Sequence, residues 1–324
     1  MPLNLAELIR DMDSASRATW NRVMLGDIAA LKFREDSITE EILFNLMQRH
    51  PQLTVRRFNQ HEEKKSGADW EWWVGSGNLG WFRLRIQAKR VHKAAYKELD
   101  HRGDIEAGHE FQYQTLIASC HEEATYPFHV FYNGWPENRF NETFESDHET
   151  RCGPLDQELW GCAAMSSHTV ENLHLGSKDV HWARRSYVPR YMPGSLPWSR
   201  LFTSACTNFM DRRPRSVALA GASPHAIFQH MHAAAFVADR IARDEVSADR
   251  PDLQNWVVGQ LDQVRLHTEL PSYAWKAQAA QQHFRSGDGY MEENPNFRVG
   301  PEDDPLGEQP AVVLVLDVEV DGAQ

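Results

Sequence analysis

Cysteine is scarce in this chain of 324 residues: the four present (Cys120, Cys152, Cys162, Cys206) form no CxxC pair, which argues against a thiolate zinc site or a disulfide framework. No run of eighteen apolar residues occurs, so no membrane-spanning helix and no membrane partner are expected. The opening Met-Pro-Leu-Asn-Leu-Ala-Glu does not read as a signal peptide, and the expected location is cytoplasmic. There is no GxGxxG or Walker sequence to cradle a nucleotide phosphate, and no repeat or low-complexity tract. Positive charge is also in deficit. With 34 Lys and Arg against 46 Asp and Glu the net charge is −12, which argues against tight, sequence-independent DNA binding, because phosphate neutralisation supplies most of that affinity. The hydrophobic share of 41% and charged share of 25% are those of an ordinary globular protein, long enough for one large domain or two modest ones.

What stands out instead is Gly67-Ala68-Asp69-Trp70-Glu71-Trp72-Trp73, then a glycine-bearing turn, then Arg83-Leu84-Arg85-Ile86-Gln87-Ala88-Lys89-Arg90. Both segments read as strands of a hairpin, with turn chemistry in Gly75-Ser76-Gly77-Asn78-Leu79-Gly80. A hairpin centred near residue 78 puts Asp69 opposite Gln87 and Glu71 opposite Arg85. Alternation places Gln87 and Lys89 on one face, and Asp69 with Glu71 on one face. An acid on one strand and Gln-x-Lys on the next can form a metal-dependent phosphodiesterase site. Simpler roles compete: Asp69 could accept backbone hydrogen bonds, Lys89 could be a solvated strand end, and Glu71 is expected to pair with Arg85. The tryptophans at 70, 72, 73 and 81 are expected to pack against layers covering both faces of the sheet.

The flanking segments complete a pattern. Asp36 or Ser37 can cap a helix bearing Ile38, Ile42, Leu43, Leu46 and Met47, with Pro51 beyond its end. Leu53 to Phe58 reads as a strand. Helical spacing returns between His109 and Glu123, and Pro127 to Asn133 is a compact apolar strand. The order over residues 35–135 is helix, three strands, helix, strand.

This segment resembles the PD-(D/E)xK nuclease superfamily, in the Gln-x-Lys variant typified by Mrr-type restriction endonucleases, through Gly67, Asp69, Gln87, Lys89 and Arg90. The resemblance implies an α/β fold with a restriction-endonuclease-like αβββαβ core, a mixed central sheet flanked by helices. It implies Mg²⁺- or Mn²⁺-dependent hydrolysis of a nucleic-acid phosphodiester, with DNA favoured and RNA left open, and by analogy a bacterial defence or restriction role. Mg²⁺ takes oxygen ligands and keeps several waters, so one or two carboxylates suffice. Asp69 is the expected anchor, Gln87 offers a neutral amide oxygen, and Lys89 orients the attacking water. The second carboxylate is expected on the first helix of the core. Glu41 and Glu40 are the candidates ahead of Glu35 and Glu63, with Glu41 chosen because it lies three residues from apolar Ile38. The expected catalytic set is therefore Glu41, Asp69, Gln87 and Lys89, with Glu41, Asp69 and Gln87 as metal ligands.

Residues 81–102 carry seven Lys and Arg against Glu98 and Asp100. From this strip Arg85, Arg90 and Lys93 are the expected nucleic-acid contacts, against the simpler reading of a solvated face. The acidic balance fits a weakly binding nuclease controlled by a regulatory protein or effector, and a homo-oligomer is compatible with the sequence. The alternative is a nuclease-like module that has lost cleavage and binds nucleic acid or a protein partner.

Residues 1–34 are expected to be a helical segment, 35–135 the core, and 136–324 a C-terminal α+β extension packed on it. Within that extension, Leu159 to Met165 reads as a strand followed by a short helix. Residues 223–243 read as a helix whose His225, His230 and His232 lack the interleaved acid of an HExxH metal motif. Ala311 to Val318 reads as a buried strand that returns to a sheet.

Overall fold

The computed structural model describes residues 5–31, 33–50, 53–57, 66–76, 80–121, 125–136, 156–175, 185–192, 195–202, 267–272, 274 and 312–317. The helix and histidines expected at 223–243 lie outside these. Two helices open the chain. α1 (Leu5–Ile28) buries Leu8, Met12, Trp20 and Val23, and α2 (Glu35–Arg49) buries Ile38, Thr39, Ile42, Leu43 and Leu46. They run antiparallel, with Arg49 paired to Asp11 at 2.6 Å at one end and Arg22 paired to Glu41 towards the other. The expected cap at Asp36 or Ser37 is not made. α2 starts at Glu35, after Arg34 in extended backbone, and no side chain caps it.

Alternating β-branched and aromatic residues then build the strands: β1 (Leu53–Arg57), β2 (Trp70–Ser76) and β3 (Gly80–Arg90). Helix α3 (Gln112–His121) leads to β4 (Thr125–Tyr132). Next come β5 (Cys162–Ser166), α4 (Ser167–Leu175), the short α5 (Val188–Tyr191) and β6 (Leu196–Pro197), and finally β7 (Val312–Asp317). All seven strands join one open sheet in the order β1-β7-β2-β3-β4-β5-β6. It is mixed: β7 with β2 and β3 with β4 are parallel, and the other neighbours are antiparallel.

The hairpin register is the one expected. Trp70 faces Ile86, Glu71 faces Arg85 and Trp73 faces Arg83. The strand expected at the C-terminus does return to the sheet, where it lies between β1 and β2. β5, β6 and β7 extend the sheet beyond residues 35–135, and α1 shares its core. Both faces are covered, and Trp70, Trp72, Trp73 and Trp81 are all buried. α1, α2 and Trp198 lie on one face, where Trp198 donates to the Met12 carbonyl at 3.1 Å and Tyr132 meets Thr39 at 2.7 Å. On the other face α3 and α4 cover Arg85, Gln87, Lys89 and His129. Among the described residues no helix is long and apolar enough to cross a membrane.

Candidate functional site

β3 outruns its partner. β2 begins at Trp70 opposite Ile86, but β3 continues to Arg90, so the amides of Ala88 and Arg90 reach past the start of the hairpin ladder on the β2 side. Two carboxylates take the place of the missing strand. Asp69 Oδ2 accepts from Ala88 N at 2.5 Å, and Glu35 Oε1 accepts from Arg90 N at 2.5 Å. Alternate residues of a strand are about 7 Å apart, so the two carboxylates stand side by side along the β3 edge. Among the described residues, none donates to the second oxygen of either.

Burial pushes both acids up. Glu35 rises to about 7, chiefly by desolvation, with the Asp69 charge adding to it and Lys89 opposing. Asp69 is raised for the same first reason, again against the pull of Lys89 and the Ala88 amide. Lys89 is 3% exposed, and its Nζ donates to Gln112 Oε1 at 3.2 Å at the start of α3. Its charge bears on Glu35, Asp69 and Glu98 alike. Glu98 accepts from His92 at 2.8 Å, while its Oε2 is buried with no hydrogen-bond partner among the described residues. Burial alone would raise Glu98, but the His92 bond and the charges of His92 and Lys89 bring it below the usual carboxylate range.

Of the expected residues, Asp69, Gln87 and Lys89 share this region and Glu41 does not. Glu41 is about half exposed and forked by Arg22, whose guanidinium holds its carboxyl low. The reason is angular. Ile38, Thr39, Ile42 and Leu46 define the buried stripe of α2, and Glu35 falls at its centre whereas Glu41 falls outside it. Glu35 was visible in the sequence through its spacing of three, four and seven from Ile38, Thr39 and Ile42.

Gln87 is in place, but its amide is engaged. Nε2 donates to the Gly67 carbonyl at 2.6 Å, and Oε1 faces His129 Nε2 at 3.0 Å. His129 in turn meets Ser167 Oγ at 2.8 Å through Nδ1. Burial and the Lys89 charge hold His129 well below its ordinary pKa, so it is neutral. Gly67 is required where it stands: its φ is +69°, and an added Cβ would lie 2.8 Å from the Leu116 amide nitrogen of α3.

Arg85 and Arg90 are corrected as nucleic-acid contacts. Arg85 is 2% exposed and bound to Glu71 and the Ser119 carbonyl. Arg90 is also buried and holds Asp27 at 2.8 Å and the Phe33 carbonyl. The expected Glu71–Arg85 pair exists, and Arg83 joins it at 2.9 Å from Glu71 Oε2. The basic strip therefore breaks up, because Arg83, Arg85, Lys89 and Arg90 point into the two packed layers. Lys93, in left-handed backbone at φ +58°, is exposed, as are Lys97 and Arg102.

Could the site hold a divalent cation? Among the described residues no three His, Cys, Asp or Glu side chains are grouped closely enough to bind a metal unaided. A hard cation that keeps most of its waters needs fewer. Two adjacent carboxylates, each with an oxygen to spare and each made unstable as an anion by burial, fit such an ion.

A family model matches residues 8–314, from the first turns of α1 to the middle of β7. The chain belongs to DUF6615, a family of unknown function. The match takes in α2, the hairpin, α3 and β4, hence every element of the Glu35–Asp69–Lys89 site. No curated protein and no solved structure matches the chain.

Proposed function

We propose that this DUF6615 member is a Mg²⁺- or Mn²⁺-dependent nuclease with a restriction-endonuclease-like core, acting on a phosphodiester of DNA. The observation that carries the reading is the convergence of Glu35 and Asp69 on alternate amides of the β3 edge, beside buried Lys89. The element order over residues 35–135 and the parallel β3–β4 pair support it.

A cation held by Glu35 and Asp69 would polarise the phosphoryl oxygen and lower the pKa of a bound water. The residues themselves have separable tasks. Asp69 and Glu35 are pinned by their amide bonds, so their spare oxygens are directed without further ordering. Lys89, its stem packed under α3 and its ammonium tethered by Gln112, presents a fixed positive charge that orients a nucleophilic water and offsets charge developing on the phosphate. Lys93, Lys97 and Arg102 supply the exposed cations for the flanking backbone, in place of Arg85 and Arg90.

The test is cleavage of single- and double-stranded DNA and of RNA with Mg²⁺ or Mn²⁺ by the parent, Asp69→Ala, Glu35→Gln and Lys89→Ala. Metal-dependent cutting lost in all three variants supports the reading. No cutting by the parent, or equal cutting by the variants, overturns it. A second reading, a nuclease-like module that binds without cleaving, is favoured by one observation: the amide oxygen of Gln87 is turned to His129 instead of the carboxylates. Binding of DNA by a parent that never cleaves it would decide for that reading.

A further inference from the structure

We propose that Gln87 is a positioning residue, not a ligand: with His129 and Ser167 it forms a buried bolt that sets the Gly67 turn and through it Asp69. The proposal rests on the reading of Asp69 as a metal ligand. Gln87, His129 and Ser167 are each 0% exposed, so every polar atom in the chain must find its partner inside the protein.

The bolt has only one workable polarity. The Gly67 carbonyl can only accept, so the NH₂ of Gln87 faces it, at 2.6 Å. The amide oxygen of Gln87 then faces His129 Nε2 at 3.0 Å, which must carry the proton. Nδ1 of the neutral ring is left as an acceptor, and Ser167 donates its hydroxyl proton to it at 2.8 Å. The tautomer of His129 is thereby fixed as Nε2–H.

The mechanical consequence follows from where the bolt ends. Gly67 is two residues before Asp69, in left-handed backbone and packed against the α3 amide of Leu116. On the near side, Ala68 N donates to Ser66 Oγ at 3.2 Å, and Ser119 Oγ donates to the Ser66 carbonyl at 2.9 Å. Asp69 N donates to the Ile86 carbonyl at 2.8 Å. The turn is thus held from α3, from β3 and, through Gln87, from the β5–α4 junction at Ser167.

This gives a physical reason for glutamine at position 87. The place demands a donor at one end and an acceptor at the other. A glutamate would set a carboxylate oxygen against the Gly67 carbonyl, acceptor against acceptor. The amide is therefore not a weakened version of a carboxylate ligand but the group the bolt requires.

Two measurements test the bolt. The first is long-range ¹H–¹⁵N correlation on the metal-free parent labelled at histidine. His129 should be in the Nε2–H tautomer from pH 6 to 8, and an Nδ1–H tautomer or an imidazolium overturns the proposal. It needs no variant to fold. The second compares Mn²⁺ affinity, by titration calorimetry, and Tm for Gln87→Glu, His129→Gln and His129→Leu. Gln87→Glu should lower Tm and bind Mn²⁺ no more tightly than the parent. A tenfold tighter Mn²⁺ affinity, as a new carboxylate ligand would give, overturns the proposal. His129→Gln keeps a donor towards position 87 and should retain affinity within about threefold, while His129→Leu loses tenfold or more; equal losses overturn the positioning role. If the parent binds no Mn²⁺, the nuclease reading fails, whereas the tautomer and the Tm of Gln87→Glu still judge the bolt.

Discussion

Glu35→Gln should make the protein more stable above neutral pH while leaving it unchanged in acid. The free carboxyl titrates near 4.5, and in the folded protein burial beside Asp69 raises it to about 7. Between those values the unfolded chain has released the proton and the folded chain has kept it. A raised carboxyl therefore contributes its full share of stability below the unfolded value and loses it as pH climbs through the folded one. At about 1.4 kcal/mol for each pH step, the parent gives up about 3 kcal/mol across this window. Glutamine has nearly the same shape, still accepts from the Arg90 amide, and does not titrate. The two proteins should match near pH 4.5, and at pH 8 Glu35→Gln should be ahead by about 3 kcal/mol. Urea unfolding at half-unit pH steps reads this directly, since contributions from groups that Glu35 does not touch electrostatically cancel in the difference. A gap that does not change from pH 4.5 to 8 would refute the burial of Glu35 beside Asp69. On the proposed metal reading, Mg²⁺ should close most of this gap. A ligand at a hundred times its Kd stabilises by about 2.7 kcal/mol, and only the parent has both carboxylates to receive it.

Further expectations can be checked together. On the proposed nuclease reading, Lys89→Met should lower cleavage at least a hundredfold and shift the pH midpoint of Mn²⁺ binding upward, because the Lys89 charge opposes the raised values of Glu35 and Asp69. Glu41→Ala should change stability by less than about 1 kcal/mol and leave cleavage intact, as expected for an exposed ion pair, and a dead variant would reinstate Glu41 at the site. Glu71→Ala should cost about 3 to 5 kcal/mol, since it removes a buried carboxylate that both Arg83 and Arg85 meet; a Tm within a degree or two of the parent would falsify that account. Gly67→Ala should lower stability by more than about 1 kcal/mol through its positive φ and the clash with α3, and should also weaken Mn²⁺ binding measured on the folded fraction.

Much of this protein was legible in local sequence, and the reasons are physical. Alternation and turn chemistry determine a hairpin and its register, so the Glu71–Arg85 pair and the shared region of Asp69, Gln87 and Lys89 follow from residue numbers alone. The apolar run at 311–318 likewise declares a strand. Its place between β1 and β2 does not follow, because strand pairing across more than two hundred residues leaves no local trace. The second carboxylate was half legible. The buried stripe of α2 runs through Glu35, but choosing it over Glu41 required knowing that β3 outruns β2 and leaves the Arg90 amide to be met. Charge misled most, since a strand buried on both faces turns its arginines inward, and composition cannot distinguish Arg90 holding Asp27 from an arginine awaiting phosphate. The sequence by itself determined which side chains face the same way. Only the tertiary structure decided which of them meet, because meeting depends on where strands end, which face a helix buries and what lies behind Gln87.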